Sequence, residues 1–240
     1  MNFSRNSVKV ALRRNPFVHR ATVIARELGF FVKPDGAQGI ARYGHRSSVG
    51  GDWRKHGEYQ FGFMREKGLK PSDVFIDVGC GSLRGGVHFI PYLEAGNYLG
   101  IEKQAELLEA GVQHEIDTAL MAEKKPELVV SDRFEFEHFS KEASFAFAGS
   151  VFSHLVAGDI DLCLGNLRGK ARDGCKFYAT YFEVDRPRTN YSDSHVHYSF
   201  YYTRAEMGDL GRRNGWEPEY LGPWTHPGRV TQQVMQFTAV

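Results

Sequence analysis

The chain has 240 residues, 42% of them hydrophobic and 25% charged, a balance that suits one soluble α/β domain with an extension, or two small domains. No apolar run approaches the roughly 18 residues of a transmembrane helix, and the opening MNFSRNSVKVALRR lacks the apolar core of a secretory signal. Net charge is only +1, yet residues 1–49 hold nine bases (Arg5, Lys9, Arg13, Arg14, Arg20, Arg26, Lys33, Arg42, Arg46) against Glu27 and Asp35, a local +7, which leaves −6 for the remainder.

A basic arm on a mildly acidic body suits peripheral contact with an anionic membrane, a substrate or a partner chain; a solvated helix explains it equally well. Its Arg-rich, acid-poor character is also that of a transit peptide. Cys80, Cys163 and Cys175 are odd in number and show no paired metal spacing, so reduced thiols in a cytoplasmic protein are expected.

In chain order, a helix is expected over residues 8–28, interrupted near Pro16, and the glycines of PDGAQGIARYGH then read as loop. A second helix covers residues 52–67, with Trp53, Tyr59, Phe61, Phe63 and Met64 on its apolar side and Gly68 and Pro71 at its end. Strands and helices then alternate. Residues 74–78 are a short buried-type strand, 83–93 a helix, 97–102 a strand, 104–121 a long helix and 127–131 a third strand. A fourth strand follows at 145–148, a helix at 159–171 and a fifth strand at 175–182. Such alternation requires crossover connections and a parallel, doubly wound sheet. Thr203-Arg204-Ala205-Glu206 is a capping box that starts a helix ending near Gly215. Residues 217–224 and 231–237 read as two strands joined by a connection too short for a helix, so the last strand is antiparallel to its neighbour.

In VFIDVGCGSLRGG a buried strand ends in Asp77-x-Gly79-x-Gly81 before a helix. Glycines let the backbone turn tightly and approach a ligand, and amides at a helix start receive an anion. Glu102, 23 positions after Gly79, ends the next strand at the offset where a carboxylate grips ribose hydroxyls. A ribose-containing cofactor is therefore expected. A dinucleotide fingerprint would place a third glycine where Arg84 stands. The segment instead resembles motif I of class I S-adenosylmethionine-dependent methyltransferases, a hydrophobic pair followed by an acid, any residue, Gly, any residue and Gly. The resemblance spans about residues 52–240 and divides the chain into a basic extension, 1–50, and a methyltransferase domain, 51–240. It implies a Rossmann-like, doubly wound, mostly parallel seven-stranded sheet closed by an antiparallel hairpin strand, with an N-terminal helical extension.

The resemblance also implies roles for particular residues. Asp77, Gly79, Cys80 and Gly81 would line the S-adenosyl-L-methionine site, and Glu102 matches the family's ribose-binding acid, with Lys103 beside it; Arg84 would either aim at the methionine carboxylate or face solvent in the first helical turn. Asp132, Arg133 and Phe134 sit where the family holds adenine, and Gly149, Ser150 and Val151 where the chain runs under the cofactor. Trp53–Gln60 looks like a helix that lies over the cofactor in a subset of bacterial small-molecule enzymes, bringing Gln60 to the site. Where many members carry a third glycine, this chain has Ser82.

An alcohol acceptor must lose a proton, and histidine is the usual base near neutral pH. His154, after the fourth strand, is the first candidate. His195 and His197 lie in the long loop after the fifth, and His226 in the terminal turn; Tyr181 and Glu183 would complete an acceptor rim. Packing or turn roles are the plainer readings of these histidines, and no metal site is expected. The Asp/Asn-Pro-Pro-aromatic motif of many base-modifying and glutamine-modifying methyltransferases is absent, and no basic-aromatic interleaving marks a nucleic-acid groove. The expectation is methylation, on oxygen, of a small-molecule or glycan acceptor. The alternatives are an NAD-dependent Rossmann oxidoreductase and a non-catalytic scaffold on the same fold.

Overall fold

A computed structural model of the chain describes residues 16–27, 34–50, 52–225 and 232–240. Helix α1 (Pro16–Glu27) begins at Pro16, the first helical position, where a missing N–H leaves no hydrogen bond unmade. The portion of the expected helix before residue 16 lies outside the described residues. The glycine-containing stretch expected as loop is helical, forming α2 (Gly36–Tyr43) and α3 (His45–Ser48) with Gly44 (φ +78°) as the turn between them. Helix α4 (Trp53–Glu66) follows.

Strand β1 (Phe75–Val78) is buried throughout, with parallel neighbours β2 (Tyr98–Glu102) and β4 (Ala143–Ala148); β3 (Glu127–Val130) pairs with β2. Side-chain alternation assigns the faces. Ile76 and Val78 enter one hydrophobic core with Leu99 and Ile101, while Phe75 enters a second core with Phe89, Tyr98 and Phe147. Asp77 therefore points to the second side, toward Tyr98. Strand β5 (Ala171–Glu183) is parallel to β4, and β8 (Gln232–Ala239) runs antiparallel between β5 and β7 (Trp216–Trp224). The sheet order β3-β2-β1-β4-β5-β8-β7 contains the expected parallel body and terminal hairpin. An eighth strand, β6 (Tyr201–Tyr202), pairs with the end of β5 and ties back the loop between them; two residues are too short to show a strand period.

The remaining helices cover the sheet. Residues expected as one helix from 104 to 121 form two, α6 (Ala105–Glu115) and α7 (Thr118–Lys124), because the Asp117 carboxylate accepts from the Ala119 and Leu120 amides (2.8 and 3.2 Å) and starts a new helix. Helix α5 (Gly86–Tyr92) begins later than expected, since Gly79, Gly81 and Leu83 all have positive φ (67°, 57° and 59°). After α8 (Ala157–Arg168), α9 (Arg204–Arg213) carries the expected capping box: Glu206 N donates to Thr203 Oγ1 and Thr203 N to Glu206 Oε2 (3.2 and 2.7 Å). Among the described residues, no helix is long and apolar enough to cross a membrane.

Candidate active site

A cavity of about 1010 Å³ lies at the carboxyl ends of β1 to β5, where ligands bind in open α/β sheets. Its floor is the glycine loop. Gly79 and Gly81 occupy the left-handed region, and a Cβ at either would approach a neighbouring valine, Val151 at 2.6 Å or Val49 at 2.8 Å. The Gly81 amide donates to Glu102 Oε2 and the Gln104 amide to Oε1, both at 3.0 Å. The acid at the end of β2 is thus bound to the loop at the end of β1. Burial raises the pKa of Glu102, and the two amides oppose that by stabilising its charged form.

Asp77, 7% exposed, accepts a hydrogen bond from the Tyr98 hydroxyl at 2.8 Å. Burial pushes its pKa up to about 6, against the pull of Tyr98 and of the Arg84 charge. Arg84 is itself buried enough to fall to about 10, with Asp77 opposing the fall, and its Nη1 donates to the Val49 carbonyl at 2.8 Å. Cys80 also lines the cavity, but burial holds its thiol well above the ordinary range, so it stays protonated.

Ser131, Asp132 and Phe134 line the wall after β3, and Lys103 the wall after β2. Arg133, expected beside them, is exposed and off the wall; its carbonyl accepts from Asn166 Nδ2 at 3.1 Å. Gln60 reaches the cavity from α4. A Cβ at Gly149 would stand 2.5 Å from Gln60 Nε2, so the glycine leaves that amide room over the end of β4. Helix α4 is seated by Gly57, where a Cβ would fall 2.2 Å from the Arg84 carbonyl oxygen, and by Phe63, edge-on to Tyr178 and Trp224.

After β4 the chain turns through Ser150, which has φ +64°. A buried polar network holds that turn. Ser150 N donates to Thr180 Oγ1 (2.7 Å), Thr180 Oγ1 and Ser150 Oγ donate to Gln232 Oε1 (2.7 and 3.1 Å), and Gln232 Nε2 donates to Ser153 Oγ (3.1 Å). Every member is bonded, which makes a non-glycine left-handed residue affordable here. The network delivers His154 to the cavity wall. Its Nδ1 lies 2.6 Å from the Tyr198 carbonyl, which accepts only; Nδ1 therefore carries the proton and Nε2 the lone pair. Burial lowers the pKa of His154 against the opposing pull of the Tyr198 carbonyl, with His197, Lys103 and His195 adding to the fall, so the ring is neutral near pH 7.

Of the other expected histidines, His197 lines the cavity and its Nε2 meets the Pro34 carbonyl at 3.2 Å. His195 stands behind the wall, stacked on Tyr198 at 4.2 Å. His226 lies outside the described residues. Tyr181 is fully buried in the core and Glu183 is engaged by Arg204 and Tyr220 (3.0 Å each), so neither forms the rim. Phe182, between them, points the other way and does line it. Among the described residues, one group offers three potential metal ligands close together, Glu135, Glu137 and His138, and it is not on the wall.

Sequence reading missed several wall residues. Asp35, Tyr43 and residues 47–50 come from the basic segment, His56 from α4, Asp159 from α8 and Gln232 from β8. Only the glycines flanking residues 45–49 hinted at a tight approach there. Ser194, also on the wall, accepts from the Val156 amide (2.8 Å) and donates to Asp159 Oδ2, which fastens the loop after β5 to the start of α8.

No family model matches the sequence. Among solved structures, the chain is similar to magnesium protoporphyrin IX methyltransferase (ChlM) from Synechocystis PCC 6803 with bound SAM, at 11% identity and TM-score 0.56, covering 100% of this chain and 99% of that one. A putative O-methyltransferase from Nostoc punctiforme PCC 73102 gives a TM-score of 0.61 at 12% identity, covering 95% of this chain and 69% of that one. The glycopeptide N-methyltransferase MtfA complexed with S-adenosyl-L-homocysteine gives 0.59 at 15%, covering 84% and 95%. At these identities the likeness is one of fold.

Proposed function

We propose that this chain, which has the fold of the S-adenosylmethionine-dependent methyltransferases, is such an enzyme and methylates a hydroxyl of a small-molecule or glycan acceptor. One observation carries the reading: the Gly81–Glu102 hydrogen bond joins glycine loop and distal acid on one wall of a cavity whose other wall presents His154. The residues fit the cofactor. Gly79 and Gly81 make a cradle that a Cβ would fill, Glu102 offers two acceptors for ribose hydroxyls, and Arg84 supplies a buried cation for the methionine carboxylate. At about 1010 Å³ the cavity is at the top of the range of roughly 300–1,000 Å³ for single-ligand sites, leaving room for an acceptor as well.

S-adenosylmethionine, when bound, supplies a methyl group activated on a sulfonium. The protein's part is to align the acceptor oxygen, keep water out and take the proton. His154 is suited to the last task, since the Tyr198 carbonyl fixes its Nδ1 proton and leaves Nε2 to receive one. The cavity lining also carries Asp35, Asp159, Asp193, Ser194 and Ser199, which suits hydrogen bonding to a hydroxyl-rich acceptor.

Calorimetry against S-adenosylhomocysteine and NADH tests the reading. Binding of S-adenosylhomocysteine with a Kd near 1 μM, about −8 kcal/mol, and at least tenfold weaker binding to Glu102→Ala are expected. Selective binding of NADH would overturn the proposal. Incubation with a panel of hydroxylated metabolites, followed by mass detection of one added methyl, would then identify the acceptor.

A further inference from the structure

Glu115 sits at the carboxyl end of α6, away from the cavity wall. Its side chain is 5% exposed and accepts from Arg46 at both oxygens (Nε 2.6 Å, Nη2 2.7 Å), with His45 Nε2 also at 2.6 Å from Oε1. Paired, directional bonds of this kind fix an orientation as well as a distance. Arg46 also lies 4.8 Å over the Trp53 ring, whose Nε1 donates to Ser82 of the glycine loop at 3.2 Å.

Both ends of this contact are tied to the glycine loop. Helix α6 is seated against it at Gly111, one turn before Glu115, where a Cβ would fall 2.7 Å from the Ser82 carbonyl carbon. Residues 47–50, which follow Arg46, line the cavity directly. Val49 covers Gly81 with its side chain and accepts the Arg84 guanidinium with its carbonyl. The path from Glu115 to the floor of the cavity is therefore short and made of discrete contacts: Glu115 to Arg46, along the chain to Val49, then to Arg84 and Gly81.

We infer that Glu115 is a positioning residue of the cofactor site, a latch that holds residues 45–50 over the glycine loop. The inference rests on the reading of the cavity as an S-adenosylmethionine site. The basic segment then serves the site as a wall rather than as an appendage, and cofactor release requires the latch to open.

The test is a double-mutant cycle on S-adenosylhomocysteine binding with Arg46→Ala, Glu115→Ala and the double variant, together with amide exchange of each protein without ligand. Each single variant is expected to weaken binding about tenfold through faster dissociation, and the double variant well short of a hundredfold, since the Arg46–Glu115 pair is lost in all three. Amides of residues 36–50 should exchange faster in every variant while those of β1 and β4 stay protected. Unchanged affinity and exchange in Arg46→Ala, whose exposed side chain threatens folding least, would overturn the latch; so would additive losses. Failure of the unaltered protein to bind S-adenosylhomocysteine would overturn the cofactor reading instead, and exchange in the ligand-free variants would still decide whether Glu115 holds the segment.

Discussion

Asp77→Asn should make the protein more stable and less able to bind S-adenosylhomocysteine, and the gain in stability should depend on pH in a defined way. The folded-state pKa of Asp77 is raised from 3.8 to about 6, chiefly by burial. Below pH 3.8 the carboxyl is protonated in folded and unfolded chains alike and carries no penalty. Between 3.8 and 6 the unfolded chain ionises first, so folding weakens as pH rises; above 6 the penalty is constant. At about 1.4 kcal/mol per pH unit, the interval is worth roughly 3 kcal/mol. Asparagine keeps an acceptor for the Tyr98 hydroxyl and stands in for the protonated carboxyl, and because the shift already contains the pull of Arg84 the expected gain at pH 8 is up to roughly 3 kcal/mol. Urea denaturation of both proteins at pH 4, 6 and 8 measures it: the curves should nearly coincide at pH 4 and separate by pH 8. A pH-independent difference, or a variant less stable at pH 8, would refute the reasoning.

Three further outcomes follow from the site. His154→Ala should lower kcat by about 10²–10⁴-fold while leaving S-adenosylhomocysteine affinity intact, and the acid limb of the unaltered enzyme's rate profile should lie below 6.5, because the pKa of His154 is lowered; an acid limb above that value would exclude this base. Gly57→Ala should destabilise by about 1–3 kcal/mol in chemical denaturation, since the new Cβ would stand 2.2 Å from a backbone oxygen, a clash that outweighs the roughly 1 kcal/mol alanine gains over glycine in a helix. A more stable variant would show that α4 is not seated through this contact. Gly149→Ala would put a Cβ 2.5 Å from Gln60 Nε2 and 2.6 Å from the buried Phe147 ring, and should lower Tm as well as weaken S-adenosylhomocysteine binding several-fold; unchanged Tm and affinity would show that neither side chain is seated through this glycine.

The centre of the sheet was legible in the sequence because β1, β2 and β4 are short, almost wholly buried and bounded by glycine or polar turns, as in Phe75–Val78 before Gly79. The capping box at Thr203 marked α9 for the same local reason: its hydrogen bonds are made within four residues. Ambiguous local signals mislead. Asp117 fits the interior of a long apolar pattern although its side chain caps a new helix, and the glycines of residues 36–44 suggest loop although Gly39 accommodates the Pro34 carbonyl inside a helix.

The floor of the site is written in the chain: a strand that ends in Asp77-x-Gly79-x-Gly81, and an acid 23 positions beyond Gly79. Backbone conformation and the crossover of one βαβ unit place those groups together, and both are local consequences of residue type. The walls come from packing between distant segments. Val49 over Gly81, Gln60 over Gly149, Gln232 beneath Ser150 and the Tyr198 carbonyl on His154 are contacts between segments far apart in the chain. Such contacts leave no periodicity to read, because packing, not spacing, selects the residues that make them.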